Sequence, residues 1–213
     1  MKKKIAILGS TGSIGKSTLE VIKKNKKNFD IYLLTANTNY KKLIQQAIEF
    51  NARNILIKDE KFYKIVKHAL KNKKTKVYTG ENSLKKILSV KLDYIMSAIV
   101  GLAGLQPTID AIKISKVVAI ANKETIICAW SILSKLKEKH KTKILPVDSE
   151  HFSIMDLTKS VEDEEVEEII ITASGGPFFN LPLNKFKKIT PKKAIKHPNW
   201  KMGKKISVDS ANL

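Results

Sequence analysis

The chain has 213 residues, 43% of them hydrophobic, enough for one full domain and part of a second, and no apolar run is long enough to span a bilayer. Its formal charge of +20 favours anionic ligands, but the excess is lysine spread over every predicted helix and Arg53 is the only arginine, which argues against specific nucleic-acid binding and leaves general polyanion binding as the rival reading. Cys128 is the only cysteine, so a disulfide framework and a thiolate metal cage are excluded, and the N-terminal Met-Lys-Lys-Lys runs straight into a strand pattern; both point to a cytoplasmic protein with no membrane segment.

Taken in order, Lys4 to Leu8 reads as a strand, followed by the glycine turn GSTGSIG (9–15) and a helical pattern through Leu19, Val21 and Ile22. Strand, glycine turn and helix in that order suit a pyrophosphate, because glycines let the backbone turn tightly and approach the anion, and the helix N-terminus then faces it. The spacing is GxxGxxG rather than the commoner GxGxxG, and a tight turn without a ligand is the plain alternative. Phe29 to Leu34 is the second predicted strand, and Asn37, Thr38 and Asn39 follow it before a helix over Tyr40 to Phe50. In a Rossmann unit this loop meets the adenosine ribose. An acid there would repel a 2′-phosphate, whereas Asn, Thr and the following Lys41 and Lys42 accept one, so NADP is preferred over NAD. An ordinary polar helix entry explains the same residues.

Four more strands are predicted at Asn54 to Ile57, Lys76 to Thr79, Tyr94 to Ala98 and Val117 to Ala121. Between them lie helical patterns at Asp59 to Asn72, Asn82 to Ser89 and Gln106 to Lys113. Strict alternation of this kind implies an α/β, Rossmann-like doubly wound parallel sheet. Asn122, Lys123 and Glu124 then open a helix carrying Trp130 and Leu133; they suit either an anionic substrate or a helix cap. Lys143 to Val147 is the last strand of this domain.

It delivers Asp148, Ser149, Glu150 and His151. On extended chain Asp148 and Glu150 point the same way, and two like charges held together call for a cation between them; a helix N-cap at Asp148 or Ser149 is the alternative. The domain boundary is set here, giving 1–147 and 148–213. Beyond it, Glu162 to Glu165 reads as a solvated turn and Val166 to Thr172 as a strand. That strand leads to Ser174 and the glycines Gly175 and Gly176, a phosphate cradle or simply a tight turn. His197 to Gly203 places Trp200 and Met202 in a loop framed by Pro198 and Gly203, suited to a lid that excludes water.

With GSTGSIG, NKE, PVDSEH, SGGPF, HPNW and KISVDSA in one order, the sequence closely resembles the 1-deoxy-D-xylulose 5-phosphate reductoisomerases along its whole length. The resemblance implies NADPH binding by Thr11, Gly12, Ser13, Ile14, Asn37, Asn39, Asn122, Glu124 and Gly203. It implies substrate binding by Lys123, Ser149, Glu150, Ser174, His197 and Ser210, with Lys123, Asp148, Glu150 and His197 as the catalytic set. Asp148 and Glu150 would hold Mg²⁺ or Mn²⁺, and the remainder of the chain would be part of an α+β catalytic domain. The implied reaction rearranges and reduces a phosphorylated sugar, 1-deoxy-D-xylulose 5-phosphate, to 2-C-methyl-D-erythritol 4-phosphate in non-mevalonate isoprenoid synthesis. The full-length family is expected to be homodimeric. Thr38 departs from relatives with Lys there, which shifts the 2′-phosphate to neighbouring lysines. The family's third metal carboxylate and a further substrate Asn and Lys fall after Leu213, so this chain alone is expected to bind NADPH with little or no turnover; a nucleotide-binding remnant without catalysis is the alternative.

Overall fold

Strand β1 (Lys3–Leu8) lies at the centre of the molecule's main sheet, and its burial explains its composition. The computed structural model describes residues 2–172, 175–201 and 207–208, with 81 and 82 described by backbone only. The chain separates into two compact units, residues 1–156 and 157–213.

In the first unit the remaining strands are β2 (Phe29–Ala36), β3 (Asn54–Ile57), β4 (Lys76–Thr79), β5 (Leu92–Ser97), β6 (Ser115–Ile120) and β7 (Lys143–Pro146). All pair in parallel, in the order β4-β3-β2-β1-β5-β6-β7. The chain thus builds outward from β1 to one edge, then returns to β5 and builds to the other. The strand order reverses between β1 and β5, which is where parallel sheets open a ligand crevice.

The helices that connect these strands are α1 (Ser13–Lys24), α2 (Tyr40–Phe50), α3 (Tyr63–Ala69), α4 (Glu81–Ile87), α5 (Leu105–Ile114) and α6 (Lys123–His140). Adjacent strand residues face opposite cores. Ile5, Ile7, Leu34 and Ile55 pack with Leu19, Ile22, Leu43 and Val66 of α1, α2 and α3. Ala6, Leu8, Leu33 and Leu56 pack with Ile87, Ile112 and Leu133 of α4, α5 and α6. Helices on both faces leave the central strands no solvent side, so they read as continuous apolar runs. Each fully buried Leu or Ile contributes about 1.5–3 kcal/mol.

Helix ends follow their local chemistry. The Asn39 side chain accepts from Lys42 N and caps α2, which stops at Asn51 in the left-handed region at φ 50°. Asn122 caps α6, which stops at Lys141 at φ 53°. Among the described residues, no helix is long and apolar enough to cross a membrane.

Two sequence expectations are corrected. Asp148 and Glu150 do not lie on extended chain: α7 (Ser149–Leu157) begins directly after Asp148, so the alternation that placed both carboxylates on one face does not apply. The last register pair of β7 with β6 is Pro146 with Ile120, the last hydrogen bond is that of Val147 N to the Ile120 carbonyl at 3.1 Å, and the helix follows from Ser149. The predicted strand over Val166 to Thr172 is not formed; these residues carry no regular structure. A strand exists only with a neighbour to exchange backbone hydrogen bonds with, and high β-propensity alone does not make one. In consequence Ile169, Ile170 and Ile171 are 56%, 74% and 67% exposed.

The second unit has short 3₁₀ turns at Thr158–Ser160, Asp163–Glu165 and Leu183–Lys188, and the brief helix α8 (Pro191–Ala194). The acidic run is a closed turn rather than a loose loop: Glu162 N donates to the Glu165 carboxylate in a capping box.

Candidate functional site

The carboxyl ends of β2, β1, β5, β6 and β7 present, in that spatial order, the loops that carry the candidate residues. After β1 the chain turns at Gly9, whose φ of +83° is open to glycine, and a Cβ there would stand 2.7 Å from the Ala98 carbonyl oxygen. Gly12 N donates to the Gly9 carbonyl at 3.1 Å, and α1 starts at Ser13. At Gly15 a Cβ would meet Gly9 O at 2.4 Å and Ser10 Cα at 2.6 Å, so only glycine lets the helix sit this close to its own turn. Thr11 is half-buried, while Gly12, Ser13 and Ile14 are exposed at the start of α1. This is a cradle of backbone N–H groups at a helix N-terminus, open to an anion, next to the reversal between β1 and β5.

After β2, Asn37, Thr38 and Asn39 are exposed, with no acidic side chain in the loop. Asn37 is fixed through its carbonyl, which accepts from Asp59 N at 3.1 Å. Asn39 spends its side-chain oxygen on Lys42 N, 3.2 Å away, which leaves its amide group to face outward.

After β6, the local ambiguity at Asn122 resolves toward structure. Its side chain is buried; Nδ2 donates to the carbonyls of Ile99 (2.6 Å) and Gly101 (2.7 Å), and Oδ1 accepts from Thr125 N (3.1 Å). Both Nδ2 hydrogens of Asn122 are thus in use within the protein. The clamp holds the β5 loop against the start of α6, where Lys123 is exposed and Glu124 half-buried. On either side of that loop, Ser97 at the end of β5 and Thr108 in α5 share a hydrogen bond of 2.6 Å, and Thr108 Oγ1 donates to Gly104 O at 2.7 Å.

After β7, Asp148 acts as the cap of α7. Its Oδ1 accepts from His151 N at 3.0 Å and meets His151 Nδ1 at 2.6 Å. Partial burial pushes the Asp148 carboxyl up, but the backbone and ring hydrogen bonds from His151 outweigh it and hold the carboxyl below its ordinary range. Glu150 is exposed in the first turn, with Ser149 Oγ donating to its Oε2 at 3.3 Å. The donor set consists of hard carboxylate oxygens, of the type that Mg²⁺ and Mn²⁺ take.

In the second unit, His197 Nδ1 accepts from Asn199 N (3.2 Å) and Trp200 N (3.0 Å), which places the ring proton on Nε2. Trp200 is 62% exposed. Ser174, Met202, Gly203 and Ser210 lie outside the described residues.

Sequence reasoning missed three residues under the glycine turn: Ser10, Thr35 and Gln46, all buried. The available signal was Gln46 itself, a polar residue in the apolar stripe of α2 between Leu43 and Ala47. A depression of about 700 Å³ between Asp30, Arg53, Asn54 and Lys76 lies at the amino-terminal ends of the strands, the edge opposite these loops, where parallel sheets do not place their ligands.

A family model for 1-deoxy-D-xylulose 5-phosphate reductoisomerase matches residues 5–130, and the model for that enzyme's C-terminal domain matches residues 144–213. The chain belongs to the 1-deoxy-D-xylulose 5-phosphate reductoisomerase family. The reductoisomerase of Pelagibacter ubique (strain HTCC1062) is 54% identical over 213 residues, covering 99% of this chain and 55% of that protein. That of Wolbachia pipientis subsp. Culex pipiens (strain wPip) is 46% identical, covering 99% and 54%. The solved reductoisomerase from Zymomonas mobilis in complex with NADPH superposes with a TM-score of 0.90 at 39% identity, over 99% of this chain and 54% of that one. A second solved reductoisomerase, in complex with NADPH, fosmidomycin and magnesium, gives 0.82 at 33% identity. The chain spans about half the length of the reductoisomerases it matches.

Proposed function

We propose that this chain is the NADPH-binding domain, residues 1–147, and the first part of the catalytic domain, residues 148–213, of a cytoplasmic 1-deoxy-D-xylulose 5-phosphate reductoisomerase. The full-length enzyme converts its phosphorylated sugar to 2-C-methyl-D-erythritol 4-phosphate and works as a homodimer. The observation that carries the reading is the Gly9–Gly15 cradle at the strand-order reversal, where Gly15 leaves no room for a Cβ. The Zymomonas mobilis enzyme with this architecture is solved with NADPH, which supports the same cofactor here.

In this reading the turn of Thr11 to Ile14, through the amides of Thr11, Ser13 and Ile14 at the α1 N-terminus and with Gly12 shaping the turn, receives the pyrophosphate, and Asn37 and Asn39 meet the ribose 2′-phosphate. Asn122, Glu124 and Gly203 are the further residues assigned to NADPH. NADPH would supply the hydride, and the residues named here would bind and orient it. Lys123 holds the substrate as a point charge; Ser149, Ser174, His197 and Ser210 hold its oxygens and phosphate. Asp148 and Glu150 would hold Mg²⁺ or Mn²⁺, which when bound polarises substrate oxygens. The Trp200 loop would serve as a lid that excludes water.

The relatives are about twice as long, so the 213-residue polypeptide is expected to bind NADPH without turnover. The test pairs NADPH fluorescence titration with NADPH consumption in the presence of 1-deoxy-D-xylulose 5-phosphate and Mn²⁺. Absence of NADPH binding overturns the cofactor assignment. Turnover at the rate of a full-length relative overturns the expectation that this polypeptide is incomplete as a catalyst.

A further inference from the structure

The glycine turn is not held by its own residues alone. Ser10 N donates to the Thr35 carbonyl at 2.9 Å, and Gly9 N donates to Thr35 Oγ1 at 2.9 Å, so β2 grips the turn from one side. From the other, α2 contributes Gln46. Its Nε2 donates to the Ser10 carbonyl at 2.8 Å, while its Oε1 accepts from Ser10 Oγ at 2.8 Å. The pair is buried, with Gln46 3% and Ser10 0% exposed. Burial separates both groups from bulk water, which raises the cost of losing the match.

The two bonds are unequal in consequence. If Gln46 is removed, the Ser10 hydroxyl still has the Thr35 carbonyl 3.2 Å away, whereas the Ser10 carbonyl loses the side-chain donor that Gln46 provides. The Nε2 bond is therefore the one the turn depends on. Gln46 also belongs to the helix whose cap is Asn39, two turns upstream. A rigid helix segment thus ties the loop of Asn37 to Asn39 to the turn of Gly9 to Gly12.

We propose that Gln46 is a positioning residue that sets the distance between the 2′-phosphate loop and the pyrophosphate turn, so that a dinucleotide phosphate bridging both meets them in register. This rests on the NADPH reading above. A ligand that spans both subsites benefits from their fixed separation, because no ordering cost remains to be met on binding. A ligand that touches one subsite does not.

Gln46→Met keeps length and burial and removes both hydrogen bonds; Gln46→Glu keeps an acceptor for Ser10 Oγ and places an oxygen where Nε2 donated. For each, foldedness is checked by thermal melting, and NADPH is compared with 2′-AMP, which has no 5′-phosphate to reach the turn. Affinity for NADPH is expected to fall about tenfold or more, with 2′-AMP within about twofold of the unmodified chain. Equal loss of both ligands, no loss of either, or unfolding of both variants overturns the proposal. Amide hydrogen exchange gives a readout free of any nucleotide. Ser10 and Gly12 amides should exchange about tenfold faster in the variants while those of Leu33 and Leu34 stay unchanged. If the unmodified chain fails to bind NADPH, the cofactor reading falls, and unaltered exchange at Ser10 and Gly12 would then sink the Gln46 coupling separately.

Discussion

Asn122 Nδ2 stands 2.5 Å from where a Cβ on Gly104 would lie, and from that place it donates to the carbonyls of Ile99 and Gly101. Gly104→Ala therefore displaces a side chain whose donors are both in use. The Ile99 carbonyl oxygen, 2.6 Å from the same Cβ, closes the other way out. The expected loss is about 1–3 kcal/mol of stability, measured by urea unfolding. A variant within a few tenths of a kcal/mol of the parent would show that the loop yields freely.

Gly15→Ala makes the same kind of demand at the nucleotide turn, where backbone stands 2.4 and 2.6 Å from the added carbon. The turn or the start of α1 must move. NADPH affinity is expected to fall about tenfold or more, read by fluorescence titration, because the amides that face the pyrophosphate move with the helix. Retained affinity would place the cofactor elsewhere.

Asp93 joins three neighbouring strands. Its carboxylate accepts from Lys116 Nζ at 2.8 Å and from Lys4 N at 2.9 Å. The Lys116 hydrogen bond first, then that of Lys4, holds the carboxyl below its ordinary value. A depressed carboxyl contributes stability that is complete above the unfolded-state value of about 3.9 and is lost as pH falls through the lower native value. Asp93→Asn should thus be less stable than the parent by a constant margin above about pH 5, with the margin closing below about pH 4. Urea unfolding across that range checks it, and a margin that widens toward acid would contradict the assignment.

Ile169, Ile170 and Ile171 form a short, exposed run of β-branched residues that pairs with no strand among the described residues. Such a segment is a template for pairing with another copy. The 213-residue polypeptide should aggregate in a concentration-dependent way, and Ile170→Lys should raise the concentration at which light scattering begins. Unchanged scattering would show that another surface drives association.

Much of this molecule was legible in its sequence. The bounds of β3, β4 and α2 coincide with the apolar and helical runs read at Asn54 to Ile57, Lys76 to Thr79 and Tyr40 to Phe50. These segments are short-range objects: period, caps and breakers decide them within a few residues. Glycine spacing likewise exposed the tight turn between β1 and α1, because a Cβ at Gly9 or Gly15 would collide with backbone.

What only the tertiary structure decided were the questions whose answer lies with a partner distant in the chain. Val166 to Thr172 has strand composition and no strand, since pairing needs a neighbour that composition does not provide. Asp148 caps a helix instead of lying extended: the last hydrogen bond of β7 to β6 is made by Val147 N, and the next free acceptor, the Asp148 carboxylate, is taken by His151 N. Asn122 was a helix cap or a ligand by local reading, and became a cap once Ile99 and Gly101 claimed its remaining donors. Gln46 was invisible as a functional residue until folding brought Ser10, 36 positions away, within 2.8 Å. Local propensity determines which segments are strand or helix, whereas hydrogen-bond saturation across the fold determines what each polar side chain has left to offer a ligand.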